Sequence, residues 1–268
     1  MDERSGRGVL VTGASRGVGA ATAREFAERG DRVVVHYRGS EDRAREVLAS
    51  LPGDGHGLVR ADLASPEETQ ALAEEAIEIL GRVDVLVNNA ALFLDPAAGG
   101  SRRGDHHVTE TDYDSWVRAW RTTLETNLMG PANLTFCVAR HMLAVSPAPG
   151  HSVGRVVNVG SRGAYRGEPA VPAYGASKAG LHAFGQSMAV ALAPHGIGVV
   201  SIAPGFIATD MAGSLLEGPS GDAIRAQSPF GRVATAPEVA SAICALAEPG
   251  AEWVSGAVVD FNGASHLR

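Results

Sequence analysis

Val9-Leu10-Val11-Thr12-Gly13-Ala14-Ser15-Arg16-Gly17-Val18-Gly19 is the stretch that decides the fold of this chain. A short β-branched run leads into a turn with glycines at positions 13, 17 and 19, and residues 20–29 then show a helical pattern that ends at Gly30. Glycine lets the backbone bend sharply and approach a ligand closely, while a helix N-terminus offers free N–H groups to pyrophosphate. The Gly-x3-Gly-x-Gly spacing is a variant of the dinucleotide fingerprint, although glycine turns without a ligand are also common. The strand before it and the helix after it favour dinucleotide binding.

The same alternation of apolar runs and helical patterns continues along the chain. Further strands are predicted at residues 33–38, 57–60, 83–87, 155–159, 198–203 and 257–261, and further helices at 41–50, 66–80, 112–145, 173–193 and 237–247. Strands that alternate with helices of this length pair in parallel through right-handed crossovers. The sequence therefore predicts an α/β fold, a Rossmann-type doubly wound sheet of about seven parallel strands with helices on both faces. A single domain is expected over residues 1–268.

Composition and charge exclude several classes of protein. Apolar residues make up 45% of the chain and charged residues 20%, which is typical of a globular protein with a large core. The net charge of −7 offers no basic face for nucleic acid, and no stretch is apolar for long enough to span a membrane. Cys137 and Cys244 lack the spacing of a disulfide framework or a zinc site. With no signal sequence at the N-terminus, a cytoplasmic location is expected, without nucleic acid or membrane as a partner.

The end of the second predicted strand bears on the choice of dinucleotide. An NAD-binding unit usually places an acidic residue there to accept the ribose hydroxyls, whereas this chain has Tyr37 and Arg38. Together with Arg16 in the glycine turn, Arg38 can surround a 2′-phosphate with forked guanidinium donors. NADP(H) is therefore predicted over NAD(H), with two solvated surface arginines as the alternative. Asp62, after the third strand, is either an acceptor for the adenine amino group or an ordinary turn aspartate.

Tyr174-Gly-Ala-Ser-Lys178 lies near the start of the helix predicted at residues 173–193. Positions i and i+4 share one face of a helix, so the phenol and the ammonium group project side by side. A nearby cation lowers the pKa of a tyrosine from about 10 toward the range in which it exchanges a proton near neutral pH. An isolated pair at this spacing is usually a surface feature. Two further candidates for a polar role are Asn127, in mid-helix, and Ser161, at the end of the fifth strand where open α/β sheets bind ligands.

Two segments without clear periodicity, residues 95–112 and 206–232, are predicted to be mobile loops on the substrate side. The first contains His106 and His107, but adjacent histidines point to different sides of an extended chain, so no metal site is assigned. The second is suited to covering an apolar substrate. Its large apolar residues are Phe206, Ile207, Met211, Leu215 and Phe230.

In this order, the motifs resemble those of the classical short-chain dehydrogenases/reductases over essentially the whole chain. The matching stretches are Thr12-Gly-Ala-Ser-Arg-Gly-Val-Gly19, Asp62-Leu63, Asn88-Asn-Ala90, Asn127, Ser161, Tyr174-x3-Lys178 and Pro204-Gly205. The resemblance implies an NADP(H)-dependent oxidoreductase that acts on CH–OH or C=O groups. The motifs and the resemblance together assign to cofactor binding Gly13, Ser15, Arg16, Gly17, Val18, Gly19, Tyr37, Arg38, Asp62, Leu63, Asn89, Ala90, Tyr174, Lys178, Pro204, Gly205, Ile207 and Thr209.

The resemblance also implies a role for each of four catalytic residues. Tyr174 would be the general acid that protonates a carbonyl oxygen while hydride arrives, and Ser161 would hydrogen-bond that oxygen. Lys178 would lower the pKa of Tyr174 and hold the nicotinamide ribose. Asn127 would position a water that relays protons to Lys178.

These motifs indicate the substrate less clearly than they indicate the reaction. Residues 203–211 and 262–264 are similar to 3-oxoacyl-carrier-protein reductases, which implies a small ketone or a 3-oxoacyl, thioester-linked substrate. Residues 36–40 and 89–93 are similar to pteridine reductases, in which an Asp commonly occupies the position of Ser161, so Ser161 favours carbonyl reduction. The alternatives are a pteridine- or imine-type reductase, an alcohol dehydrogenase, and a non-catalytic NADP(H)-binding sensor or scaffold. A homotetramer or homodimer is also implied, through the helices at residues 112–145 and 173–193.

Overall fold

Parallel strands form the centre of the protein. This computed structural model describes residues 6–94, 106–145, 153–210 and 212–268. The strands are β1 (Gly8–Val11), β2 (Arg32–Tyr37), β3 (Gly57–Arg60), β4 (Val85–Asn88), β5 (Gly154–Val159), β6 (Ile197–Pro204), β7 (Ile207–Ala208), β8 (Ala234–Thr235) and β9 (Val258–Phe261). The α-helices are α1 (Gly17–Glu28), α2 (Glu41–Ala49), α3 (Pro66–Leu80), α4 (Tyr113–Leu124), α5 (Gly130–Val145), α6 (Pro172–Leu192), α7 (Gly213–Glu217), α8 (Gly221–Arg225) and α9 (Ala236–Leu246).

Seven of these strands pair in parallel in the order β3-β2-β1-β4-β5-β6-β9. Side chains alternate across the sheet, so Val9 and Val11 of β1 pack with α1 and α9 on one face, and Leu10 packs with α3 and α5 on the other. The predicted α/β fold with a doubly wound sheet of seven parallel strands is confirmed. The strand order reverses between β1 and β4, and ligands of such sheets bind outside the carboxyl ends of the strands at this reversal.

The helix predicted at residues 112–145 is interrupted by one π-helical turn, Glu125–Met129, between α4 and α5. In an α-helix the N–H of residue 131 would bond to the carbonyl of Asn127, but Pro131 has no N–H. The wider turn that results keeps Asn127 inside the protein, where it is 0% exposed. Single π turns inside helices are frequent at functional sites.

Residues 206–232 contain regular elements where the sequence predicts a loop. β7 pairs in parallel with β8, and α7 and α8 follow β7. The small cluster that holds them together consists of Ala212, Leu216 and Ile224, with Phe206 and Leu215 packed against it. Phe230 is 75% exposed and lines a pocket together with Phe206, and its predicted role of covering an apolar substrate stays a prediction. Met211 and residues 95–105 of the other predicted loop lie outside the described residues.

Two expectations from composition concern membranes and cysteines. Within the described ranges, no helix has both the length and the apolar character that a bilayer span requires. Cys244 is buried in the core, and burial raises the pKa of its thiol to about 12, so the thiol stays protonated. Cys137 is only partly buried.

Candidate active site

The glycine turn after β1 is tied to the end of β4. The Thr12 hydroxyl oxygen accepts the N–H groups of Asn89 and Ala90 at 2.9 and 3.0 Å, and the Asn89 amide donates to the Thr12 carbonyl at 2.8 Å. Gly13 has a φ of +64°, and a Cβ there would lie 2.8 Å from the Cα of Ala90. A Cβ on Gly19 would lie 2.4 Å from the Gly13 carbonyl oxygen. Only glycine therefore fits at these two positions, which explains why the motif has glycine at positions 13 and 19.

His36 supports the same turn from β2. Its Nδ1 accepts the Gly13 N–H at 3.1 Å, and its Nε2 lies 3.1 Å from the Ala61 carbonyl. Burial lowers the pKa of His36 to about 4, so the ring is neutral at pH 7 and Nε2 carries the proton donated to Ala61. Sequence reasoning missed this residue. A polar side chain within the buried run of β2 was the signal that could have found it.

The carboxyl ends of β2 and β3 bring Arg38 and Asp62 together. Arg38 Nη1 lies 3.8 Å from Asp62 Oδ2, while Asp62 Oδ1 accepts the Ala64 N–H at 3.0 Å. One carboxylate oxygen of Asp62 thus accepts a hydrogen bond within the turn, and the other faces Arg38. Tyr37 is 6% exposed, and its hydroxyl is hydrogen-bonded to Glu41 rather than to another of the predicted cofactor residues.

The segment after β6 crosses to the glycine turn. Gly205 follows Pro204, the last residue of β6, and donates its N–H to the Phe261 carbonyl at 3.1 Å. Further along, the Thr209 methyl group lies 3.4 Å from the position a Cβ on Gly17 would take. Thr209 and Gly17, two residues predicted to bind the cofactor, are therefore neighbours although they are far apart in the sequence.

These residues fit a dinucleotide. Gly17 begins α1 with a φ of +56°, and neither a side-chain cap nor an acidic residue occupies the first turn of that helix. Its N–H groups and positive dipole end are thus available to a pyrophosphate. Arg16 is exposed beside the turn, and its side chain makes no hydrogen bond or ion pair with any described residue.

Lys178 lies inside the protein on α6. It is 2% exposed, and its Nζ donates to the Val159 carbonyl at 2.8 Å, at the end of β5. Burial lowers the pKa of Lys178 to about 8. The same Nζ is 5.9 Å from the centroid of the Tyr174 ring. The i, i+4 spacing predicted from the sequence therefore brings phenol and ammonium together.

The side chains of Tyr174 and Ser161 lie close enough to interact. Burial, with the carboxylate of Glu168 adding to its effect, raises the pKa of Tyr174 to about 12, and the Ser161 side chain acts in the opposite direction. The expectation that Lys178 lowers this pKa is not met in the structure, because burial outweighs the other influences and the ammonium group is bonded to a backbone carbonyl. Phe93 packs edge-on against the Tyr174 ring with centroids 5.1 Å apart.

Asn127 connects two walls of the site. Its Oδ1 accepts the Leu92 N–H at 2.7 Å, and its Nδ2 donates to the Leu92 carbonyl at 2.9 Å and to the Ser177 hydroxyl at 3.2 Å. It thereby joins the chain after β4 to α6. The water relay from Asn127 to Lys178 implied by the resemblance is not tested by these contacts and stays a prediction.

His106 supports the start of α6, and sequence reasoning did not identify this role. It is 1% exposed, its Nε2 accepts the Ala173 N–H at 3.1 Å, and its ring packs against Trp116 at 6.1 Å. Residue 174 follows directly, so His106 supports the backbone next to Tyr174. Within the described ranges, no cluster of three or more His, Cys, Asp or Glu side chains could hold a metal ion.

Comparison with known proteins identifies the family. Residues 7–220 match the model of the short chain dehydrogenases. The chain belongs to the short-chain dehydrogenase family. The predicted family is confirmed, and with it an oxidoreductase that acts on CH–OH or C=O groups.

Relatives of this short-chain dehydrogenase match it along nearly its whole length. A 3-oxoacyl-[acyl-carrier-protein] reductase of Vibrio cholerae is 34% identical over 262 residues, which cover 98% of each chain. The short-chain reductase protein NovJ of Streptomyces niveus is 34% identical over 261 residues, 95% of this chain and 92% of that protein. The solved structure of a short chain dehydrogenase from Burkholderia cenocepacia in complex with NADP is 29% identical, with a TM-score of 0.83 and coverage of 99% of this chain and 100% of that one. The predicted similarity to 3-oxoacyl-carrier-protein reductases is confirmed.

Proposed function

We propose that this short-chain dehydrogenase is an NADPH-dependent carbonyl reductase in which Tyr174 is the general acid. The observation that carries the proposal is the proximity of the Tyr174 and Ser161 side chains at the carboxyl end of β5, beside the buried ammonium group of Lys178. With its pKa raised to about 12, Tyr174 is a neutral phenol at pH 7. A neutral phenol donates a proton, and reduction of a carbonyl requires a proton donor.

The side chains of the site have separate tasks. A bound nicotinamide cofactor supplies the hydride. Ser161 donates a hydrogen bond to the carbonyl oxygen as negative charge develops, and Tyr174 gives its proton to the same oxygen. Lys178 Nζ donates to the Val159 carbonyl and has further N–H donors for a ribose. Asn127 holds the chain after β4 against α6, and the water relay implied for it by the resemblance stays a prediction.

A ketone or a 3-oxoacyl compound is the proposed substrate. The name of the Vibrio cholerae relative supports an oxoacyl chain, borne by an acyl-carrier protein in that case. Phe93 lies against the Tyr174 ring, so an apolar wall adjoins the group that would protonate the substrate. The Ser161 and Tyr174 side chains lie close together, an arrangement that suits a carbonyl oxygen held by both hydroxyl groups.

NADP(H) is the proposed cofactor. Arg16 and Arg38 flank the glycine turn and the end of β2, and no acidic residue occupies that strand end, which an NAD-binding unit would use. The NADP complex of the Burkholderia cenocepacia relative supports the same assignment. The residues that would hold the pyrophosphate are those of the turn between β1 and α1.

The proposal is tested by supplying NADPH together with a panel of ketones, 3-oxoacyl thioesters and pterins. We expect oxidation of NADPH, followed by its absorbance, with ketones or oxoacyl thioesters and not with pterins. Oxidation with pterins alone would show a pteridine reductase instead. Tight NADPH binding without turnover on any member of the panel would favour the sensor or scaffold.

We also propose a homo-oligomer that forms through α4, α5 and α6. Large apolar side chains are exposed on or beside these helices, with exposed fractions of 52% at Met129, 67% at Phe136 and 80% at Val190. Sedimentation equilibrium is expected to give a dimer or tetramer, and Phe136→Glu is expected to shift it toward monomer. A monomeric wild-type protein would contradict this. The predicted cytoplasmic location stays a prediction.

A further inference from the structure

A third guanidinium group lies beside the glycine turn. Arg43, in the first turn of α2, lines a cleft of about 370 Å³ together with Arg16, Arg24 and Gly17. Glu46 is the acidic residue of this lining, so positive charge predominates there. The cleft therefore suits a phosphate group.

Arg43 is held by a carboxylate from the opposite side of the crevice. Its Nη1 lies 2.7 Å from Oδ2 of Asp210, which follows Thr209 in the segment after β7. Thr209 in turn lies over the glycine turn, with its methyl group 3.4 Å from the position of a Cβ on Gly17. The ion pair thus joins α2, on the adenosine side of the crevice, to the segment that leads into α7 on the substrate side.

The two partners remain accessible to solvent, with exposed fractions of 54% for Arg43 and 62% for Asp210. An exposed ion pair contributes little to stability, so another anion can displace one partner at small cost. A phosphate offers a guanidinium group more acceptor oxygens and more charge than one carboxylate. Asp210 and a phosphate in this cleft would therefore compete for Arg43.

We propose that the ion pair between Arg43 and Asp210 bridges the entrance of the cofactor-binding crevice, and that it breaks when a 2′-phosphate binds Arg43 in place of Asp210. This ion pair is called the clasp below. The proposal rests on the NADP(H) preference proposed above and adds to it. Arg43 is then a further residue that favours NADP(H) over NAD(H), and Asp210 reduces this preference because it competes with the phosphate for Arg43. The carboxylate of Asp210 is released from Arg43 when the nucleotide has a 2′-phosphate, and not when it lacks one.

The test uses two nucleotides that differ only in the 2′-phosphate, adenosine 2′,5′-bisphosphate and adenosine 5′-monophosphate. In titration calorimetry, Asp210→Ala is expected to tighten binding of the bisphosphate by about two- to five-fold, and Arg43→Ala to weaken it by at least as much. In the Arg43→Ala background, the change at Asp210 is expected to have no effect. Binding of the monophosphate is expected to be the same in all four proteins.

Arg45→Ala is the matched control, because Arg45 lies on the same helix but pairs with Glu41 at 2.6 Å and does not line the cleft. It is expected to leave both affinities unchanged. As a second readout, hydrogen exchange of residues 209–217 in the wild-type protein is expected to be faster with the bisphosphate than with the monophosphate.

Two outcomes separate this inference from the proposed cofactor. If wild-type protein binds both nucleotides equally, the NADP(H) preference and the clasp both fail. If it prefers the bisphosphate, but Asp210→Ala has the same effect with and without Arg43, the preference stands and the clasp is overturned.

Discussion

Tyr174→Phe is expected to lower kcat/KM for carbonyl reduction by roughly 10²- to 10⁴-fold, the usual contribution of a general acid. The change removes one oxygen atom and leaves the ring, which packs against Phe93 and lies 5.9 Å from Lys178 Nζ. Binding of NADPH and the midpoint of thermal unfolding are therefore expected to change little. Steady-state kinetics, titration calorimetry and thermal unfolding of the two proteins measure the three quantities.

Tyr165→Phe is the matched control for this change. Tyr165 is also partly buried, and burial raises the pKa of this residue as well, but its hydroxyl is paired with Arg268 and its ring packs against His182 at 5.3 Å. Among the described residues its hydroxyl group interacts with Arg268 and forms no hydrogen bond with Ser161, so its removal is expected to leave kcat/KM near the wild-type value. Full activity of Tyr174→Phe, or equal losses in the two variants, would show that the proton comes from elsewhere.

The fold could be predicted from the sequence because its signals are local. The apolar run of β1, the glycines of the following turn and the start of α3 at Pro66 each depend on residues close together in the chain. The π turn was not predicted, since it depends on a missing N–H at Pro131 within a pattern that otherwise reads as one helix. The short elements after β6 were missed for another reason, because they are stabilised by contacts with one another and not by their own length.

The candidate site could be predicted where chemistry and helical spacing coincide, as for Tyr174 and Lys178. Contacts between distant segments could not. Asn127 binds Leu92 across 35 residues, and Arg43 binds Asp210 across 167 residues. No pattern in one sequence encodes such a pair. The pKa of Tyr174 was also misjudged, because proximity of a cation is visible in the sequence and the extent of burial is not.

Arg38→Asp is expected to weaken NADPH binding by roughly 10- to 100-fold, while NADH binding stays the same or becomes tighter. The substitution removes a charge-assisted donor to the 2′-phosphate and replaces it with a repelling charge. In the wild type, Asp62 Oδ2 lies 3.8 Å from Arg38 Nη1, so the substitution also removes the cationic partner of Asp62. The unpaired carboxylate then adds to the repulsion of the 2′-phosphate. A carboxylate at this strand end is the group that NAD-binding units use for ribose hydroxyls, so NADH is not penalised. Titration calorimetry with both cofactors measures the effect.

Arg45→Asp makes the same change in net charge on the outer side of α2, where Arg45 is 65% exposed, and is expected to leave the ratio of the two affinities unchanged. Arg38 is 54% exposed, so loss of its ion pair costs little stability, and a change in affinity can be ascribed to the cofactor contact. Salt provides an independent check, because screening weakens a phosphate contact more than an uncharged one. NADPH affinity of the wild type should fall with ionic strength, and that dependence should be much smaller for Arg38→Asp. Equal wild-type affinities for NADPH and NADH would remove the basis of the cofactor assignment.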